Sequence, residues 1–221
     1  MERLLWLYSR PLDARFPVGC FDERPCFLIG DAVAALALKA GSISKEHYEY
    51  KKMGSCALLA AIEPMTGKRL AQVYDQRRKC EYALFLKELV AQYPQAEKIR
   101  LVQDNLNTHN RSSLYETFPA DEAFALSQRF EFYYTPKKAS WLNMQESEFS
   151  ALARQCLQRR IATKAELERE VLAIIKDREE KALKSEWQFS IAAARTKLNR
   201  HYEQVQADNV RYKETYITEY L

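Results

Sequence analysis

The 221 residues are 47% hydrophobic with only five glycines, which excludes a disordered or low-complexity chain and leaves one large domain or two small ones. A net charge of +4 is compatible with a polyanionic partner without demanding one, because the clustering of Lys and Arg decides that. Five scattered cysteines with no CxxC pair and three histidines at no ligand spacing speak against zinc, and the longest apolar runs, 32–38 and 56–62, are too short to span a bilayer; with no signal-peptide pattern, a cytoplasmic protein with reduced core thiols is expected.

Residues 1–15, with Leu4, Leu5, Leu7 and Tyr8 before Pro11, read as an amino-terminal arm or short helix. From Phe16 the chain is extended, with Val18, Cys20 and Asp22 on one face and Gly19, Phe21 and Glu23 on the other. A second extended run, 26–29, follows Arg24-Pro25 and leads to a loop and an Ala-rich turn. Residues 48–52 and 56–63 are strand material interrupted at Gly54, and the turn 64–67 leads to a further strand at 69–74, an antiparallel meander. A helix is expected over 79–93, stopped by Pro94.

The apolar run from Ile99, closed by Asp104-Asn105, predicts a buried strand with Asp104 at its exposed tip, where α/β sheets place ligand-binding groups; Asp-Asn is also ordinary turn chemistry. Helical fragments at 113–118 and 120–127, a strand at 130–134 and a helix over 142–158 capped by Asn143 come next. Thr163 caps a second, charge-rich helix reaching residue 184. The order βββαβαβα predicts an α/β fold, a mixed sheet flanked by helices, with extra helices at the carboxyl end. The expected divisions are an arm 1–15, a catalytic domain 16–160, helices 161–202 packed on it, and a tail 203–221 whose Tyr212, Tyr216 and Tyr220 mark a docking helix.

Three acids fall where such a sheet gathers them: Asp22, Asp104 and Glu146. Taken singly, Asp22 reads as a surface hairpin residue and Glu146 as the wet side of a helix; together they form the donor set of a hard cation, for which oxygen ligands suffice. Glu148 lies about 200° round the helix from Glu146 and cannot face the same site, so Glu148→Gln is expected to leave activity intact. Glu23 points away from Asp22 for the corresponding reason on a strand.

The segments CFDERP (20–25), VQDNLNTH (102–109) and YTPKKASWLNMQESEF (134–149) resemble the bacterial insertion-sequence branch of the mariner-type DDE transposases, with 41 residues between Asp104 and Glu146. The resemblance runs from about residue 6 to residue 202 and implies a ribonuclease-H-like fold with Asp22, Asp104 and Glu146 as catalytic metal ligands for two divalent cations, Mg²⁺ with Mn²⁺ as substitute. It implies metal-dependent cleavage at transposon ends and strand transfer into target DNA, by a homodimer on DNA. Asn105 and His109 are the expected supporting residues; a turn-stabilising or core histidine is the equal alternative for His109.

DNA contacts are expected from Lys137, Lys138, Arg154, Arg159, Arg160 and Lys164 near the acids, and from Arg195, Lys197 and Arg200 further on. Trp141 reads as a core plug at the helix start rather than a base-stacking platform. Two departures from the family stand out: Lys138-Ala139-Ser140 replaces a usual His-Gly-Ser, and only 21 residues precede Asp22 where an amino-terminal helix-turn-helix region of about a hundred residues is usual. A separate helix-turn-helix polypeptide is therefore an expected partner, the chain being half of a split element or a remnant. Two alternatives share the fold: a regulatory module that no longer cuts, and a nuclease acting on other nucleic acids.

Overall fold

The computed structural model describes residues 1–33, 48–185, 187–206 and 208–209. Most of the Ala-rich turn after the first strand, and Tyr212, Tyr216 and Tyr220, lie outside them. The chain divides into two compact units, Leu12–Ser185 and Met1–Pro11 with Glu186–Leu221.

In the larger unit the two extended runs on either side of Pro25 are one strand, β1 (Val18–Asp31), and the two around Gly54 are another, β2 (Tyr50–Glu63). Gly54 takes φ +129°, open to glycine, opposite a register shift at Leu28/Ile29, so the irregularity is absorbed as a bulge. Pro25 is tolerated because β1 has by then outrun the neighbour on its other side, and an edge does not need the missing N–H. β3 (Lys68–Tyr74) completes the meander. β4 (Ile99–Gln103) then pairs parallel to β1, and β5 (Phe130–Tyr134) parallel to β4, giving the mixed order β3-β2-β1-β4-β5.

Strand alternation sorts the core into two layers. Phe21, Leu59 and Leu101 join α2 (Lys79–Gln92), α3 (Ser112–Thr117) and α4 (Ala120–Gln128) on one face. Cys26, Leu58 and Ala60 join α5 (Gln145–Leu152) and α6 (Lys164–Glu180) on the other. Each large side chain so buried contributes about 1.5–3 kcal/mol. Leu167, Val171 and Ile175 of α6 belong to this second layer, which is why residues beyond 160 are part of the larger unit. Thr163 caps α6 as expected, its hydroxyl accepting from the Glu166 N–H.

The single helix expected over 142–158 is broken into a 3₁₀ turn (Ser140–Leu142), α5, and a wide turn of π-helix (Ala153–Leu157). Leu142 enters the core, and the tight turn leaves Trp141 47% exposed, not plugging the core as the sequence suggested.

Glu148, expected to point away from the acidic site, lies off that cavity and carries a structural role the sequence did not show. It is 6% exposed, and its oxygens accept from Arg69 (Nε 2.8 Å, Nη2 3.2 Å) and Arg178 (Nε 3.1 Å, Nη2 2.9 Å), tying β3, α5 and α6 together. Burial alone would raise its pKa; the two guanidinium groups hold it below the usual carboxylate range. Glu148→Gln leaves Arg69 buried with its charge uncompensated, and a loss of about 3–5 kcal/mol is expected in chemical denaturation, against near-neutral behaviour for exposed Glu146→Gln.

The smaller unit contains α1 (Glu2–Tyr8), α7 (Ile191–Lys197) and α8 (Asn199–Val205). Glu2 accepts from Arg195 (Nε 2.7 Å, Nη2 2.9 Å) and from the Tyr202 hydroxyl (2.6 Å), and the Arg195 bonds above all bring its pKa down to about 2. A depressed carboxylate stabilises above its unfolded pKa and ceases to as pH falls toward the folded one. The melting-temperature deficit of Glu2→Gln relative to the unsubstituted protein is therefore expected at pH 6 and should vanish near pH 2; because the pair is about one-third exposed, it corresponds to about 1 kcal/mol or less.

Candidate active site

The last bonded pair of the β1–β4 ladder is Cys20 with Val102, and carrying that parallel register two residues on sets Asp22 beside Asp104. Glu146 approaches from α5, which packs on the face of β1 that carries Asp22. All three line one cavity of about 280 Å³, together with Arg24, Ser140 and Asn143.

Each acid is held differently. Asp22 accepts from the Glu23 N–H (2.9 Å); burial first, and then the like charges of Glu23, Glu146 and Asp104, push it up to about 7. Asp104 bends back in an Asx turn, accepting from the Leu106 N–H (3.1 Å), and its Oδ1 meets His109 Nδ1 at 2.5 Å. That imidazole bond above all holds Asp104 below the usual range. The Glu146 side chain has no hydrogen-bond or ion-pair partner among the described residues.

His109 is 2% exposed and joins two carboxylates, with Nε2 2.8 Å from Glu23 Oε2. Burial would lower its pKa, but the hydrogen bond to Asp104 and the adjacent Glu23 carboxylate outweigh it and raise it to about 9. Glu23 thus faces away from Asp22, as alternation requires, yet reaches Asp104 through the ring. Gln103, fully buried, donates to the His109 carbonyl (2.9 Å) and accepts from the Tyr82 hydroxyl (2.7 Å), fixing the loop that returns the imidazole to the strand end.

Asn143, read from sequence only as a cap, does more. Its Nδ2 donates to the Phe21 carbonyl (2.8 Å), its Oδ1 accepts from the Gln145 N–H (3.2 Å), and its own carbonyl accepts from the Glu146 N–H (3.2 Å). The start of α5 is thereby clipped to β1 beside Asp22.

Other expected site residues disperse. Asn105 is exposed and lies off the cavity. Lys137 and Lys138 are exposed on the segment before Ser140, and Arg154 is exposed on the wide turn after α5. Arg159 meets Glu170 and Arg160 meets Asp31, each at 2.6 Å, and Lys164 meets Asp75 at 2.9 Å, so carboxylates already match these charges. Arg195, Lys197 and Arg200 belong to the smaller unit, where Glu2 engages Arg195. All five cysteines are free, and no described helix is long and apolar enough to cross a membrane.

The donor chemistry fits a hard divalent cation: Asp22, Asp104 and Glu146 share a cavity that Glu23 also lines, and Asp22 is raised first by burial and then by the like charges of these neighbours. Among the described residues no three His, Cys, Asp or Glu side chains stand close enough to enclose an ion, so this is a shared cavity, not a preformed cage.

A mixed sheet in this order, with acids at adjacent parallel strands and on the following helix, defines a ribonuclease-H-like domain carrying a carboxylate site. The chain belongs to the DDE superfamily endonuclease family, whose model matches residues 17–168. Solved structures agree on the fold: a pre-cleavage Mos1 transpososome (11% identity, TM-score 0.55, 94% of this chain and 60% of that one) and a Mos1 transposase paired-end complex with left transposon end (12%, 0.54, 96% and 61%). A mariner Mos1 paired-end complex with Mg is similar (13% identity, TM-score 0.54, 94% and 59%). The chain thus spans about three-fifths of the length of these proteins. No curated protein sequence matches it.

Groups that orient a metal-binding carboxylate affect metal affinity about 10–100-fold when removed. His109→Ala is expected to weaken Mg²⁺ or Mn²⁺ binding by that factor in calorimetric titration, while Asn105→Ala, off the cavity, leaves it unchanged.

Proposed function

We propose that this chain is the catalytic domain of a DDE transposase, cutting DNA at transposon ends and joining the cut end to target DNA. The observation that carries the reading is the cavity shared by Asp22, Asp104 and Glu146, three acids distant in sequence, within a chain of the DDE superfamily endonuclease family. Support for divalent metal and for paired DNA ends comes from the Mos1 complexes with Mn and Mg.

Asp22, Asp104 and Glu146 would hold two Mg²⁺ ions, Mn²⁺ serving in their place. Bound there, the pair supplies Lewis acidity to the attacking and departing oxygens of a phosphodiester. The protein's own part is positional. Asp22 lies on β1 and Asp104 just past the end of its parallel neighbour β4, His109 fixes the rotation of Asp104, and the Asn143 clip sets where Glu146 enters. Water cleaves the first bond, leaving a 3′-hydroxyl; that hydroxyl attacks a target phosphodiester and displaces its 3′-oxygen, so no covalent enzyme intermediate is needed. Lys137, Lys138 and Arg154, exposed on the segments flanking α5, are the DNA contacts this reading favours in the larger unit. Assembly as a dimer on DNA, with a helix-turn-helix reader working alongside to recognise the ends, belongs to the same proposal.

Incubation with supercoiled plasmid and Mg²⁺ or Mn²⁺ tests it. Nicking is expected from the unsubstituted chain, and a fall of at least 100-fold from Asp104→Asn and from Glu146→Gln with circular dichroism unchanged. Equal nicking by the substituted and unsubstituted chains, or none by either when an end-binding reader is supplied, overturns the reading.

A further inference from the structure

We propose that Arg24 grips a backbone phosphate of the DNA strand entering the acidic cavity, and that the strand continues over Arg24 toward Arg159 and Arg160. This rests on the catalytic reading above and adds a positioning residue and a strand direction to it.

Arg24 stands two residues after Asp22 on β1 and so faces the same side. It is half-buried and lines two cavities at once: the acidic one, and a second of about 240 Å³ between the far half of β1 and residues 157–161. Pro25 also lines both, so the two form a path along one strand. The second cavity has an apolar wall from Phe27, Leu28 and Leu157, with Arg159 and Arg160 at its other side. Phe27 is 74% exposed there. Apolar surface beside spaced guanidinium groups suits a nucleic-acid strand, which presents sugar and base edges alternately with phosphates.

What singles Arg24 out is that its guanidinium has no ion pair or hydrogen bond with any described residue. The other arginines lining the two cavities are engaged, Arg159 with Glu170 and Arg160 with Asp31. A permanently charged guanidinium at the rim of a cavity lined by Asp22, Glu23, Asp104 and Glu146 would ordinarily fold onto one of them. Unpaired with any described residue, its fork is open to the tetrahedral anion that the acids themselves cannot bind.

The test uses the full chain, duplex DNA spanning a site it nicks, and a series of the same duplex with one methylphosphonate, which removes one phosphate charge, at successive positions. Arg24→Gln is expected to weaken binding about tenfold and to flatten the slope of log affinity against log salt by about 0.9, with Arg24→Lys recovering most of both. One methylphosphonate position, next to the cut on one side only, should cost the unsubstituted protein the same tenfold and Arg24→Gln nothing further. Additive losses at every position, or an unchanged salt slope in Arg24→Gln, overturn the proposal. Binding that follows the expected pattern without any cleavage would uphold Arg24 as a phosphate contact while removing the catalytic reading; cleavage indifferent to Arg24 would do the reverse.

Discussion

The site depends on the alternation of side chains along the centre of β1. Between Phe21 and Arg24 the strand sends an aromatic and a glutamate to one face and an aspartate and an arginine to the other, and pairing with β2 and β4 prevents the backbone from turning. Phe21 is fully buried among Tyr82, Phe85 and Leu101, which locks the register; a slip of one residue would carry Asp22 onto that core face and Phe21 off it. Glu23 takes advantage of the hidden face. From the face opposite Asp22 it meets His109, and through the ring it is linked to Asp104.

The contrast between Glu146 and Glu148 shows how one helix serves both stability and the site. Two residues apart, they diverge by more than half a turn, so one reaches the cavity and the other the space between β3 and α6. The Arg69–Glu148–Arg178 cluster carries little net stabilisation by virtue of its charges, since desolvation offsets much of the attraction, but it permits one packing of α5 only. That packing, with the Asn143 clip at the helix start, determines which face of α5 looks at Asp22.

Much of this was legible in the sequence. Strand and helix positions followed from apolar periodicity, and the meander followed from its turn residues. The boundaries went astray where tertiary pairing overrode local signals: Gly54 and Pro25 look like breaks, yet long-range ladders run through both. The acids could be singled out because their spacing resembled a family; nothing local distinguishes Asp22 from Glu23 beyond strand parity. His109 was ambiguous between core and function, and in the fold it is both buried and bonded to a cavity acid. Arg24, Asn143 and the pairing of Glu148 with Arg69 were illegible, since each depends on a contact or a missing contact between segments far apart in the chain.

The unequal restraint of the three acids explains why they share a cavity without closing it. Asp22 is fixed by the sheet and by a backbone N–H, and Asp104 by an imidazolium and an Asx turn, so two of the three are set before any ligand arrives. Glu146 is exposed, at the first turn of a helix, and bonded to nothing described. A rigid third acid would force three negative charges together in a half-buried space, which like-charge repulsion opposes. A long side chain unattached to any described residue avoids that cost by keeping its charge toward solvent. Rigidity is concentrated where two strands must agree, and freedom is left to the one donor that arrives from a helix.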